Sequence, residues 1–209
     1  MKIEIVTPVG TAHAHLNRAD EPRATVVLGH GAGGGVQARD LVAVARVAHE
    51  AELDVVLVEQ PYRVAGRRAP APAHQLDEAW TAVIGHLRAA ELHDVPLVVG
   101  GRSSGARVAC RTAEATGAVG VLCLAFPLRP PQRSGGTRAA SRLPELDAVT
   151  VPTLVVQGKR DPFGMPPPAE RRTVVEVESD HSLRTDLTSV SDAVRAWLTH
   201  VVGEPTTQS

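Results

Sequence analysis

The sequence predicts an α/β domain built on an eight-stranded, mostly parallel, doubly wound sheet. Three observations lead there. Short β-branched apolar runs alternate with longer amphipathic stretches along the whole chain, the pattern of strand–helix crossovers. Most of the runs are continuously apolar rather than alternating, which suits strands buried on both faces. The length, 209 residues, supports one sizeable core and not two large ones. Residues are 43% apolar and 22% charged, a globular composition.

Taken in order, Lys2–Val6 and Thr11–Leu16 alternate in polarity around Pro8-Val9-Gly10, which predicts a hairpin of half-exposed strands. Six buried strands follow: Ala24–Leu28, Asp54–Val58, Pro96–Val99, Gly120–Leu124, Thr153–Val156 and Thr173–Val177. Between the first two, Val36–Ala51 places Leu41, Val44, Ala45 and Ala48 on one helical face. Gln75–Ala90 repeats this with Leu76, Ala79, Trp80, Val83 and Leu87, and Ser104–Ala115 and Thr188–Val202 are the remaining long helices. Arg63–Ala73 and Pro127–Gly136 read as irregular. Both follow the carboxyl ends of strands, where open α/β sheets hold their ligands. Only 28 residues, Ala125–Pro152, separate the sixth and seventh strands. They leave room for one short helix around Ser141–Leu146 and not for a cap domain. Residues 1–203 therefore read as a single domain, with 204–209 as a flexible C-terminal tail.

Charge and composition exclude several function classes. The formal net charge is −1, from 22 basic and 23 acidic side chains, so the chain as a whole has no electrostatic footprint for nucleic acid or an anionic membrane. Twenty of the basic residues are arginines, Lys2 and Lys159 being the lysines; with the abundance of alanine this reads as composition bias. Tyr62, Trp80, Phe126, Phe163 and Trp197 are too few to stack single-stranded nucleic acid. Cys110 and Cys123 lie in apolar company and read as reduced, buried thiols. No zinc spacing occurs, and neither a metal nor an organic cofactor is expected. Glu4 and Pro8 interrupt any signal-like apolar stretch, and no apolar run approaches the ~20 residues of a membrane span. A cytoplasmic protein is expected. Composition says nothing of oligomeric state.

Four local patterns carry chemistry. Gly101-Arg102-Ser103-Ser104-Gly105 lies between a buried strand and a helix. In a G-x-S-x-G elbow the turn is so tight that the residues two positions either side of the serine must be small. Gly101 and Gly105 meet this for Ser103; Arg102 and Ala106 would flank Ser104 less well. His30-Gly31-Ala32-Gly33-Gly34-Gly35 follows the strand Ala24–Leu28. Its Ala32 amide, with the Ser104 amide, could hold a developing oxyanion. His181, just past the last strand, is the histidine best placed as base. Asp161, after the seventh, is its orienting acid, with Asp180 as rival. Tyr62, Phe126, Pro127 and Phe163, at strand ends, are expected to wall an open, substrate-binding cleft suited to short acyl groups. Arg102 reads either as an ion pair behind the elbow or as a holder of a substrate carboxylate.

The chain resembles small, lidless α/β-hydrolases of the dienelactone-hydrolase-like group, which includes a testis-expressed vertebrate relative. The resemblance rests on His30–Gly34, Gly100–Arg107, Ala125–Leu128, Gly158–Asp161 and Asp180–Ser182, and spans about Ala24 to Val202. It implies the eight-stranded fold and a Ser103–Asp161–His181 triad, and hence a serine hydrolase of a small-molecule ester or thioester. Dienelactone hydrolases proper use a cysteine where this chain has Ser103. An acyltransferase would share these residues. Two other classes stay open: a non-catalytic scaffold on the same fold, and a dinucleotide-binding protein, since Gly29–Gly34 also reads G-x-G-x-x-G with Glu59 ending the next strand.

Overall fold

The computed structural model describes residues 1–130 and 139–203. Strands β1 (Lys2–Thr7) and β2 (Gly10–Asn17) form the antiparallel hairpin, and β2 lies antiparallel to β4 (Asp54–Glu59). With β3 (Thr25–Gly29), β5 (Leu97–Arg102), β6 (Gly120–Leu124), β7 (Thr153–Gly158) and β8 (Arg172–Val177), the order is β1-β2-β4-β3-β5-β6-β7-β8. Every pairing from β4 to β8 is parallel.

Helices cover both faces because the central strands are apolar on both. All five residues of β3 and of β6 are buried. On one face Val26, Val55 and Leu122 pack against Leu41 and Val44 of α1 (Arg39–Glu50) and Val194 and Leu198 of α6 (Leu187–Val202). On the other, Val27, Val99 and Val121 pack against α3 (Ala73–Ala90), α4 (Ser104–Thr112) and α5 (Leu143–Asp147), with Trp80 fully buried. Cys110 on α4 and Cys123 on β6 are buried free thiols, their Sγ atoms 3.5 Å apart.

Four stretches differ from the sequence reading. Strand β8, read as buried, is the sheet's edge strand and exposes Thr173 and Glu176. Helix α1 starts at Arg39 rather than near Val36, because the glycine-rich loop runs on to an extended Ala38. The segment after β4 opens with a short helix, α2 (Pro61–Val64), started by a proline whose missing N–H a first turn does not need. Helix α4 ends at Thr112 rather than near Ala115. Among the described residues, α5 is the only helix between β6 and β7, and the fold has no cap domain. Most of the stretch read as irregular over 127–136, and the tail 204–209, lie outside the described residues. None of the described helices is long and apolar enough to cross a membrane.

Register sets where the loops emerge. Gly29 pairs with Val58 and Gly101, Arg102 with Leu124, Leu124 with Val156, and Gly158 with Val177. The parallel strands thus end along one edge, and the loops after β3, β4, β5, β6, β7 and β8 rise from it together. Close backbone contact tightens the middle of that edge. A Cβ at Gly101 or at Gly105 would lie 2.3 Å from the Gly29 carbonyl oxygen. Because that oxygen belongs to a central strand, it cannot yield as a flexible side chain would. Gly105→Ala is therefore expected to destabilise the protein by about 3 kcal/mol, the upper end for overpacking. Urea unfolding monitored by circular dichroism measures this, and a near-neutral Gly105→Ala would contradict the contact.

Candidate active site

Strand β5 delivers Ser103 to the edge and α4 begins one residue later. The turn between them is strained: Ser103 has φ 53° and ψ −105°, a region that non-glycine residues occupy only when their surroundings enforce it. The enforcement is visible. The Ser103 amide donates to the Leu124 carbonyl of β6 at 2.9 Å, and its own carbonyl accepts from the Arg107 amide in α4. Gly101 and Gly105 let both flanks of the turn rest on β3.

His181 reaches this serine from the loop after β8. The Ser103 hydroxyl donates to His181 Nε2 at 3.0 Å, and His181 Nδ1 donates to Asp161 Oδ2 at 2.8 Å. The imidazole leans on the half-buried Phe163 ring, centroids 4.3 Å apart. The Asp161 side chain has no exposure. Its carboxylate also accepts from Gln157 Nε2 at 2.8 Å and from the Phe163 amide at 2.9 Å, so its remaining acceptor capacity is satisfied within the protein. The rival, Asp180, accepts from the Ser182 amide and hydroxyl instead, which shapes the loop without meeting the ring. Gly158 makes room for that loop: a Cβ there would lie 2.5 Å from the Asp180 carbonyl oxygen.

The glycine-rich loop after β3 is held by two tethers. His30 is buried. Its Nδ1 donates to the Gly31 carbonyl, and its Nε2 accepts from the Gln60 amide at 3.1 Å. Burial lowers its pKa below the usual imidazole value, which suits the neutral form these two bonds require. The Tyr62 hydroxyl donates to the Ala32 carbonyl at 3.0 Å. Among the described residues the Ala32 amide donates to nothing. The Ser104 amide is the first of α4 and has no intrahelical partner.

Two of the expected cleft walls are elsewhere. Phe126 is fully buried in the core cluster. The alternation that sends Cys123 to one face and Leu124 to the other is reversed at Ala125, whose φ is 49°. Phe126 therefore turns inward and cannot line an open cleft. Pro127 is buried behind it, its carbonyl accepting from Arg142. Tyr62 is also largely buried and meets the site through its hydroxyl. Phe163 stands beside the imidazole. The dinucleotide alternative loses its geometry as well, because α1 begins at Arg39, well past Gly34.

Sequence reasoning missed Gln157 and Asp40. Gln157 was one polar letter in an apolar strand, four residues before Asp161; its Nε2 also donates to the carbonyls of Phe126 and Gly164. Asp40 is buried at the start of α1, with its carboxylate 2.9 Å from Arg102 Nε. Arg102 Nη2 donates in turn to the His181 carbonyl at 2.9 Å, and a Cβ at Gly31 would meet the same guanidinium at 2.8 Å. One arginine thus ties α1, the elbow and the His181 loop together beneath the glycine-rich loop. Burial pushes the Asp40 carboxyl above the usual range, against the pull of Arg102. Arg102→Ala leaves that carboxylate buried and unpaired, so a loss of roughly 3 kcal/mol in urea unfolding is expected. Asp40→Asn keeps the shape without the charge and should lose less; the reverse ranking would refute the ion-pair account.

The fold and this arrangement define an α/β-hydrolase. The chain belongs to the alpha/beta hydrolase domain family, whose model matches residues 22–198. Among solved structures it is similar to XC6422 from Xanthomonas campestris, described as an α/β serine hydrolase without a lid. The identity is 19%, the coverage 100% of this chain and 96% of that one, and the TM-score 0.78. It is similar to Est1E from Butyrivibrio proteoclasticus at 16% identity, covering 97% and 99%, TM-score 0.77. A dienelactone hydrolase from Anabaena variabilis matches at 16% identity, covering 96% and 97%, TM-score 0.75. No curated protein matches the chain.

Proposed function

We propose that this protein is a serine hydrolase that cleaves a small-molecule carboxylic ester or thioester through an acyl-enzyme on Ser103. The observation that carries the reading is the unbroken chain from Ser103 Oγ through His181 to Asp161, at 3.0 and 2.8 Å. It stands on a serine whose strained backbone points the hydroxyl out of the sheet edge. His181 Nε2 takes the hydroxyl proton as Oγ attacks the acyl carbon, and Asp161 steadies the imidazolium that forms. The Ala32 and Ser104 amides stabilise the oxyanion. His181 then returns its proton to the leaving alcohol or thiol. A water, deprotonated by the same nitrogen, releases the acid and restores Ser103. Each step is carried by this chain's own groups and water. The absence of a cap domain favours short acyl groups, since an open site excludes water poorly around a long chain. A cytoplasmic location goes with this reading, as Cys110 and Cys123 are buried thiols within hydrogen-bonding distance of each other.

A fluorophosphonate probe tests the reading directly. Wild type should become labelled at Ser103 and Ser103→Ala should not. A panel of esters and thioesters, with Ser103→Ala as blank, then identifies the bond. An unlabelled wild type would sink the proposal.

A further inference from the structure

Net charge hides a segregation of sign. Nine arginines have no carboxylate partner among the described residues; Arg88, Arg142 and Arg171 bond backbone carbonyls, and the other six are Arg39, Arg63, Arg67, Arg68, Arg129 and Arg184. All six lie at the edge of the sheet where Ser103 emerges. Arg39 opens α1, the next three follow β4, Arg129 follows β6 and Arg184 follows β8. Two of them are tied to site residues. The Arg129 amide donates to the Phe163 carbonyl, and Phe163 stacks on His181. Arg67 lines a cleft together with Tyr62, whose hydroxyl holds the Ala32 carbonyl.

Most carboxylates of the same loops are engaged. Asp40 meets Arg102, Glu59 meets His13 and His15, Asp161 meets His181, and Glu178 meets Lys159 and Arg160. Asp180 and Asp186 have no ion-pair partner and keep their charge at this edge: Asp180 accepts from Ser182 and lies in the field of Arg184, and Asp186 caps α6. At the opposite edge, unpaired Arg88 and Arg171 are outnumbered by unpaired carboxylates. Asp20, Glu21, Asp94 and Glu170 precede strands there, and none has a cationic partner among the described residues. Composition bias explains arginine in place of lysine. It does not explain why six of the nine unpaired arginines lie on the loops of this one edge.

We propose that this arginine rim selects the substrate class: an ester or thioester carrying several negative charges on the part that stays outside the cleft. The inference rests on the serine-hydrolase reading above. A rim of one sign raises the local concentration of an oppositely charged ligand and speeds its encounter, in a salt-dependent way. Arginines on four separate loops suit a group with charges spread over several positions, such as a polyphosphate, better than a single carboxylate seated in a pocket. The acyl carbon then reaches Ser103 while the charged portion rests on the rim.

The test compares two acetyl thioesters of the same acyl group, acetyl-coenzyme A and S-acetyl-N-acetylcysteamine, the second lacking phosphates. Wild type should show at least a tenfold higher kcat/KM for the first. That advantage should fall several-fold between 50 and 500 mM NaCl, and in Arg67→Ala/Arg68→Ala, without change for the neutral thioester. Equilibrium binding of inorganic tripolyphosphate, and of citrate, is read in parallel. Tripolyphosphate should bind wild type and lose affinity at least tenfold in the double variant; tighter binding of citrate would assign the rim to carboxylates. Equal kcat/KM for the two thioesters, or tripolyphosphate binding unchanged in the double variant, would overturn the rim. Fluorophosphonate labelling of Ser103 keeps the outcomes apart. A labelled enzyme indifferent to charge refutes the rim alone, whereas an unlabelled enzyme refutes the hydrolase reading and leaves tripolyphosphate binding to decide the rim.

Discussion

Ser103→Ala is expected to lower ester turnover by about 10⁴-fold or more with little change in KM. The asymmetry follows from what the hydroxyl does in the proposed mechanism. Oγ forms its bond to the acyl carbon only as the reaction proceeds, so removing it withdraws transition-state stabilisation while leaving the binding surface alone. The two amides at Ala32 and Ser104 are main-chain groups and survive the substitution, and some residual rate above water should remain through them. Steady-state kinetics on a short p-nitrophenyl ester measures this. A variant that kept a tenth of wild-type kcat would place the nucleophile elsewhere.

Asp161→Asn should lower kcat on the order of 10³–10⁴-fold, while Asp180→Asn stays within a few-fold of wild type. Asp161 Oδ2 accepts from both His181 Nδ1 and Gln157 Nε2, and the Phe163 amide donates to Oδ1. An asparagine there presents NH₂ to at least one existing donor. If it faces His181, the imidazole must reverse its tautomer and can no longer take the serine proton. If it faces Phe163, the tautomer survives, but the imidazolium loses its counter-charge. Asp180 has neither contact. An inactive Asp180→Asn beside an active Asp161→Asn would exchange the two roles.

How much of this was legible before the structure depends on what carried each feature. The eight strands and four long helices were readable because hydrophobic periodicity reports burial directly, and burial holds these elements in place. Ser103, Asp161 and His181 could be grouped in advance because each follows a parallel strand, and register brings those strand ends to one edge. What failed to show was set by backbone turns or by pairing across the fold. Phe126 looked like a cleft wall because it follows β6, but a single left-handed residue, Ala125, turned it into the core. Asp40 and Arg102 lie on different elements and meet only when α1 packs over the sheet. Gln157 could have been suspected, since a polar side chain inside an apolar strand requires a partner. Nothing local said that its partner is Asp161.

The contact among Gly29, Gly101 and Gly105 has a consequence for how such a chain can change over time. Main chain resting on main chain sets the position of residue 103, so the scaffold specifies a location and leaves the reactive atom there to be chosen separately. A different small nucleophile could occupy that location without rebuilding the turn, since the side chain at 103 takes no part in forming it. The glycines, by contrast, admit no such freedom. In this molecule the parts without side chains are the ones least open to revision, and the side chain at 103 is comparatively interchangeable.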